Sequence, residues 1–191
     1  MKLVVGLGNP GAAYKKTRHN VGFMVIEALC NDCNTKMRKP ASAALEKAVI
    51  HYRQQIFVLC KPLTYMNLSG EAVRKLAKEN NLKPEDILVV CDDIHLPLGR
   101  IKIKAGGSSG GHNGLASVLE SLGTKNVSRL RIGISGSENK QEDLSKYVLA
   151  NFSRQEQKIL EASLISAKEA VVYWLENGIE KAMNTFNKAG E

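Results

Sequence analysis

The stretch VVGLGNPGAAYKKTRHNVG, residues 4–22, decides how the rest of this chain can be arranged. It begins with a short apolar run that is long enough for a buried strand and too short for a helix. Glycines then interrupt the run and predict a sharp turn, beyond which His19 and Asn20 precede an apolar helical pattern. In α/β proteins, a strand that ends in a glycine-rich turn with polar side chains is a typical location for the active site.

Outward from this stretch, the chain alternates between strand and helix patterns. A continuous apolar run over 86–91 predicts a central strand covered on both faces, with Asp92 at its carboxyl end. Ser153 and Glu156 form a capping box that predicts the start of a long helix. The remaining pattern predicts helices over 20–33, 71–80, 112–122 and 143–151, a last helix that reaches Lys188, and strands over 44–52, 55–61, 100–104 and 128–135, the first two as a hairpin.

The composition is that of an ordinary globular protein with a basic balance. The 191 residues suit one domain, residues 1–191, with a net charge of +8. This charge indicates a polyanionic partner, although solubility alone is the simpler explanation. No apolar run is long enough for a membrane helix, and the first residues show neither a signal peptide nor an organelle-targeting leader. We therefore expect a cytoplasmic protein with no membrane contact.

Two cofactor patterns are present only in part. Residues 6–11 satisfy the dinucleotide fingerprint GxGxxG, but Pro10 removes a donor from the turn and no helix opens directly after it. Cys30 and Cys33 form one CxxC without a second pair at zinc-ligand spacing. We expect buried reduced thiols, no cofactor and no metal, the last because no strong ligand motif is matched by Asp92, Asp93, His95 and His112.

His19 and Asp92 are the candidate catalytic pair. A carboxylate bonded to one imidazole nitrogen fixes the tautomer and stabilises the charge that develops when the other nitrogen takes a proton. No Ser or Cys is evidently poised as a nucleophile, so water is the natural proton donor. Asn9, Asn67 and Asn113 each follow a predicted strand. Singly they are expected to cap helices, whereas together with the pair they predict amides that hold a carbonyl substrate.

A basic row follows the central strand. Lys102 and Lys104 share one face of an alternating strand, about 6.5 Å apart. Arg129 and Arg131 likewise share a face of a later strand. Between the two strands, the glycine-rich loop 105–111 is expected to be mobile unless something orders it. The spacing of the lysines is comparable to the phosphate repeat of a nucleic acid strand.

Four sequence blocks carry a family resemblance. They are GLGNPGAAYKKTRHNVGF, KPLTYMNLSG, DDIHLPLG with GGSSGGHNGL, and RLRIGI. In this order they resemble the signature blocks of bacterial-type peptidyl-tRNA hydrolase, over a match from Lys2 to about Phe186. The resemblance implies a single α/β domain with a twisted mixed sheet flanked by helices on both faces. It also implies a monomeric, metal-independent esterase that cleaves the bond between a peptide and the 3′ ribose of tRNA.

The resemblance also implies roles for individual residues. His19 is the general base that activates water, and Asp92 orients it. Loop 105–111 corresponds to the family's gate loop, and the helix near 140–150 corresponds to its mobile lid. The tRNA phosphate clamp is implied to be Lys102, Lys104 and Arg131, and the substrate-binding residues are implied to be Asn9, Tyr14, Tyr65, Met66, Asn67 and Asn113.

One position departs from the family pattern, and two other functions stay open. His95 stands where the family usually has an acidic residue, which is expected to alter the charge of the cleft without altering the chemistry. A non-catalytic RNA-binding partner of the same fold, like the splicing factors of plant organelles, is the main alternative. A general hydrolase of small esters is the third, although it leaves the basic row unexplained.

Overall fold

The computed structural model describes residues 1–41, 43–53, 55–136 and 143–187. In this part of the chain six strands form one sheet in the order β2-β3-β1-β4-β6-β5. The strands are β1 (Lys2–Gly6), β2 (Leu45–Tyr52), β3 (Gln55–Pro62), β4 (Ile87–Pro97), β5 (Ile101–Lys104) and β6 (Ser128–Ser135). The helices are α1 (Val21–Asp32), α2 (Ser69–Glu79), α3 (Asn113–Leu122), α4 (Leu144–Leu149), α5 (Arg154–Asn177) and α6 (Ile179–Phe186).

The four central strands are parallel and the two edge strands are antiparallel. Strand β1 pairs in parallel with β3 and β4, and β4 pairs in parallel with β6. The edge strands β2 and β5 run antiparallel to β3 and β6. The carboxyl ends of β3, β1, β4 and β6 therefore meet along one edge of the sheet, which is where open α/β sheets bind their ligands.

Helices cover both faces of the sheet, as predicted. Helices α1, α5 and α6 pack on one face around a core that includes the fully buried Trp174. Helices α2 and α3 pack on the other face. Gly22 lets α1 approach the sheet closely, because a Cβ there would lie 2.5 Å from backbone atoms of Leu7 and Val90. No helix in the described ranges is both long and apolar enough to cross a membrane.

The element boundaries differ from the prediction mainly at the central strand. We expected β4 to end at residue 91, whereas it continues to Pro97 because Asp92 and Asp93 still pair with β6. The two carboxylates therefore lie within a strand. The short helix predicted over 143–151 is α4, while residues 140–142 of the lid segment lie outside the described residues. The last predicted helix ends at Phe186, and Lys188 also lies outside the described residues.

The four cysteines are free thiols, as predicted, although one is only half-buried. Cys30, Cys60 and Cys91 are buried, while Cys33 at the end of α1 is partly exposed. Burial raises the pKa of Cys30 to about 11 and that of Cys60 to about 12. Thiols held this far from ionisation make poor nucleophiles and poor metal ligands.

Candidate active site

His19 and Asp92 lie together at the carboxyl edge of the sheet. Asp92 is part of β4 and is only 4% exposed. His19 lies in a single turn of 3₁₀ helix, Arg18–Asn20, directly before α1. Nδ1 of His19 is 2.8 Å from Oδ1 of Asp92, so the carboxylate engages one imidazole nitrogen as expected. An ionised carboxylate accepts this bond from Nδ1–H, so in the neutral tautomer it is Nε2 of His19 that can take a proton.

His112 is a third member of this group, which we considered only as a possible metal ligand. Its Nδ1 accepts the backbone N–H of Leu115 (3.2 Å), so His112 caps the N-terminus of α3. The proton of the neutral ring must then lie on Nε2, which donates to Oδ1 of Asp92 (3.0 Å). The two imidazole rings lie 4.9 Å apart between centroids. Oδ1 of Asp92 therefore accepts a hydrogen bond from each of the two histidines.

This arrangement keeps Asp92 ionised. Burial alone would raise the pKa of Asp92, but its interactions with His112 and then with His19 hold the pKa of this carboxyl well below its usual range. A permanently charged carboxylate is what a neighbouring imidazole needs when it takes up a proton.

Of the four residues considered as metal ligands, Asp92 and His112 are in contact, whereas Asp93 and His95 are not part of this group. Oδ2 of Asp93 pairs with Arg131 (2.7 Å), and His95 is exposed with its backbone N–H on Oδ1 of Asp93. In the described ranges the group with metal-binding geometry is instead His19, Asp92 and His112, whose ligand atoms lie within 4.8 Å of one another. Nδ1 of His112 accepts a helix N–H, so the ring proton lies on Nε2, the nitrogen that faces Asp92. The contacts within this group are therefore explained by hydrogen bonds to Asp92.

An asparagine pair fixes the glycine-rich turn against His19. The backbone N–H of Asn9 donates to Oδ1 of Asn20, and Nδ2 of Asn20 donates to the carbonyl of Asn9, both at 2.9 Å. Oδ1 of Asn9 in turn accepts the backbone N–H of Met66 (3.0 Å). The oxygen of Asn9 is therefore engaged in the fold, and only its Nδ2 is left for a ligand. Asn20, which we did not select, is the partner that holds this turn.

The other expected substrate-binding residues are spread around this edge. Asn67 and Asn113 are exposed, and Tyr65 is 63% exposed. Met66 is buried, and Tyr14 is half-buried. None of the three predicted asparagines caps a helix in the described part of the chain, since His112 takes that role for α3.

Two separate clefts divide the predicted residues. His19, Asp92, Asn113 and Arg131 border a cleft with a volume of about 220 Å³. Asn9 borders a different cleft, of about 320 Å³. Asn20, the residue after His19, borders the second cleft.

The residues of the basic row differ in exposure: the two lysines are exposed, whereas Arg131 is largely buried in an ion pair. Lys102 pairs with Arg131 across β5 and β6, and Lys104 pairs with Arg129. Both lysines are exposed. The side chain of Arg131 is only 19% exposed and forms an ion pair with Asp93. Its positive charge is therefore already compensated within the protein.

Arg129 orders the glycine-rich loop. It is 1% exposed, and its Nη1 donates to the carbonyls of Gly107 (2.9 Å) and Ser108 (3.2 Å). Its Nη2 donates to the carbonyl of Lys125 (3.3 Å). This buried guanidinium is the ordering element that the sequence did not reveal for loop 105–111.

A histidine held by a carboxylate at the ligand-binding edge of a mixed sheet is an arrangement typical of one class of proteins, the α/β enzymes. The family model for peptidyl-tRNA hydrolase matches residues 3–191 of this chain. The chain belongs to the peptidyl-tRNA hydrolase family.

Individual relatives agree with this assignment. The chain is 44% identical to the peptidyl-tRNA hydrolase of Chlorobium luteolum over all of both chains. It is 46% identical to that of Aquifex aeolicus, over 98% of this chain and 97% of the other. The crystal structure of peptidyl-tRNA hydrolase from Acinetobacter baumannii superimposes with a TM-score of 0.91 at 33% identity, covering 98% of this chain and 95% of that one. The predicted fold class is confirmed.

Proposed function

We propose that this chain hydrolyses the ester bond between a peptide and the 3′ ribose of tRNA, releasing free tRNA and peptide for reuse in translation. Family membership supports the substrate class. The observation that carries the chemistry is the 2.8 Å hydrogen bond between Nδ1 of His19 and Oδ1 of Asp92. It leaves Nε2 of His19 as the nitrogen that can act as a base on water.

The reaction proceeds in two proton transfers. Nε2 of His19 takes a proton from water while the water oxygen attacks the ester carbonyl, and ionised Asp92 stabilises the resulting imidazolium. The tetrahedral intermediate then collapses, the bond to the ribose oxygen breaks, and Nε2–H returns the proton to the leaving hydroxyl. The products are a carboxylic acid and a ribose hydroxyl, and no cofactor or metal takes part.

Amide side chains bind the peptide in this proposal. Asn67 and Asn113 hold the peptide and the scissile ester, with Tyr14, Tyr65 and Met66 near it. Nδ2 of Asn9 donates to the carbonyl of an N-blocked residue, because its Oδ1 is already occupied by Met66. A free α-ammonium group would find no matching acceptor on Asn9, which favours blocked substrates.

The exposed lysines bind the tRNA backbone. Lys102 and Lys104 lie on one face of β5, and both are exposed. Arg131 completes the clamp only if phosphate competes with Asp93 for its guanidinium. We further propose that the protein acts as a cytoplasmic monomer, with loop 105–111 as a gate and the helix near 140–150 as a lid.

The deciding experiment measures the rate of hydrolysis of an N-blocked aminoacyl-tRNA and of the same aminoacyl-tRNA without the blocking group, in the presence of EDTA. Fast cleavage of the blocked substrate alone is expected. Tight tRNA binding without cleavage would move the protein to the RNA-binding alternative. Equal cleavage of a bare peptidyl ester without tRNA would favour a general esterase.

The role of His19 has its own test. His19→Ala removes the base and should reduce kcat at least a hundredfold, since general base catalysis contributes about 10²–10⁴ in rate. Binding of tRNA should stay within about threefold of wild type. Retention of more than a tenth of wild-type turnover would show that His19 is not the base.

A further inference from the structure

Arg18, the residue before His19, is almost completely buried and has no part in the proton transfers. Its side chain is 8% exposed. Its Nη2 donates to both carboxylate oxygens of Glu156 (2.9 and 2.8 Å), and its Nη1 donates to the carbonyl of Asn151 (2.6 Å). The guanidinium also stacks on Tyr147, 4.4 Å from the ring centroid, and on Phe152, 5.2 Å away. We call these groups the Arg18 clasp.

The clasp connects the His19 turn to α4. Tyr147 is the residue of α4 that carries the stacking ring, and its hydroxyl donates to the carbonyl of Ile134 at the end of β6 (2.6 Å). The backbone N–H of Arg18 donates to the carbonyl of Ala150, directly after α4. Thr17 forms an isolated bridge with Asn151. The backbone of residues 17–18 is therefore hydrogen-bonded to the backbone of residues 150–151, directly after α4.

Helix α4 packs on the core through only two half-buried residues, Tyr147 and Val148. It is six residues long and has no buried residue. Leu144, Ser145 and Val148 nevertheless border the cleft that contains His19 and Asp92. Since a helix this short is unstable alone, its position over the cleft depends on contacts such as the Arg18 clasp.

His19 is held from both neighbouring residues. On one side Asn20 locks the turn to Asn9, and on the other Arg18 locks it to Glu156. Glu156 is itself fixed, because its Oε2 accepts the backbone N–H of Ser153 (2.7 Å) in the capping box of α5. The clasp thus ends on the first turn of a 24-residue helix.

We propose that Arg18 is a positioning residue that sets the catalytic histidine and the α4 wall of the cleft relative to each other through its paired hydrogen bonds to Glu156. This inference rests on the proposed function for its effect on turnover. Its geometric part, the fixing of α4, does not depend on the substrate. A planar guanidinium is required, because a single ammonium nitrogen cannot donate to Glu156, donate to the carbonyl of Asn151 and lie against both rings at once.

The test uses two substitutions in the full-length protein. Arg18→Lys keeps the charge and loses the planar fork, while Glu156→Gln keeps the shape and loses the charge. Both should lower kcat about ten- to a hundredfold with KM within about threefold, because displacement of a catalytic group by about 1 Å costs on the order of a hundredfold. The matched control is Glu176→Gln, which breaks the exposed pair with Arg53 (2.6 Å) far from the cleft and should leave kcat within about twofold.

Hydrogen exchange of the backbone amides of 144–149 provides the second readout. It should accelerate about tenfold or more in Arg18→Lys and Glu156→Gln and stay unchanged in Glu176→Gln. Variants that melt at a lower temperature but keep wild-type kcat well below melting would reduce Arg18 to a structural residue and overturn the proposal, as would unchanged exchange. A wild-type protein without activity on N-blocked aminoacyl-tRNA would refute the proposed function, while the exchange arm would still decide whether the clasp holds α4. If Arg18→Lys does not fold, Glu156→Gln alone decides.

Discussion

Replacement of His112 by Asn isolates the contribution of the second histidine to Asp92. Asn is among the best N-cap residues, so it can replace Nδ1 of His112 as the acceptor for the N–H of Leu115. Its shorter side chain cannot also reach Oδ1 of Asp92, which His112 contacts at 3.0 Å. The variant therefore keeps the cap of α3 and removes one hydrogen bond from a buried carboxylate.

The expected cost follows from that single bond. A hydrogen bond to a charged group contributes about 1.5–3 kcal/mol, so the free energy of unfolding should fall by about that amount. For a chain of this size the melting temperature should fall by about 3–12 °C. Urea unfolding at pH 7 measures the loss directly. Turnover should fall less than tenfold, because His19 keeps its own bond to Asp92.

Two matched variants complete the experiment. Ser153→Asn makes the same kind of change at the N-cap of α5 and should alter the free energy of unfolding by less than about 0.5 kcal/mol. In an Asp92→Asn background, His112→Asn should cost at least about 1 kcal/mol less than in the wild type, since the carboxylate is already gone. Equal costs in both backgrounds would refute the idea that His112 acts through Asp92.

Three further outcomes are expected. Lys102→Ala with Lys104→Ala should weaken tRNA binding and reduce the salt dependence of log Kd by a slope of about 1.5, whereas Arg131→Gln, whose charge Asp93 already compensates, should change the slope less; equal slopes in all variants would contradict the clamp. Burial alone would raise the pKa of Glu156, but the N–H of Ser153 and the guanidinium of Arg18 lower it. The stability that Glu156 contributes is therefore present above its unfolded pKa of about 4.3 and lost as pH falls through the folded value, so the deficit of Glu156→Gln in urea unfolding should be largest near pH 7 and shrink below about pH 4; a constant deficit would exclude the carboxylate as its source. Gly70→Ala should lower the free energy of unfolding by about 1–3 kcal/mol, although Ala normally favours helices, because its Cβ would lie 2.1 Å from the carbonyl of Ser117 in α3; an unchanged urea midpoint would show that the helices can separate there.

The sheet and its helices could be predicted from the sequence because they depend on local patterns. The apolar run over 86–91 predicts the buried central strand, and the capping box at Ser153 predicts the start of α5. The end of β4 could not be predicted in the same way. Two consecutive aspartates indicate the end of a buried strand, yet pairing with β6 continues because His19, His112 and Arg131 compensate their charges.

The site was predictable as a set of residue types and less so as a set of contacts. His19 and Asp92 could be paired because one follows a strand and the other follows a turn at the same edge. The engagement of Asn9 by Met66, 57 residues later, depends on how two loops meet. The same holds for the ion pair between Arg131 and Asp93, which lie on neighbouring strands. Nothing in the local sequence indicates that either group is already bound.

The three-residue turn Arg18–Asn20 joins parts of the chain that are made at very different times. Asn20 and its partner Asn9 are both in the first twenty residues, while Arg18 requires Glu156, 138 positions further along. Because a chain leaves the ribosome N-terminus first, the histidine is synthesised long before the segment that holds its neighbour. The contacts that hold both neighbours of His19 can therefore be completed only after α5 has begun to emerge, late in the synthesis of the chain.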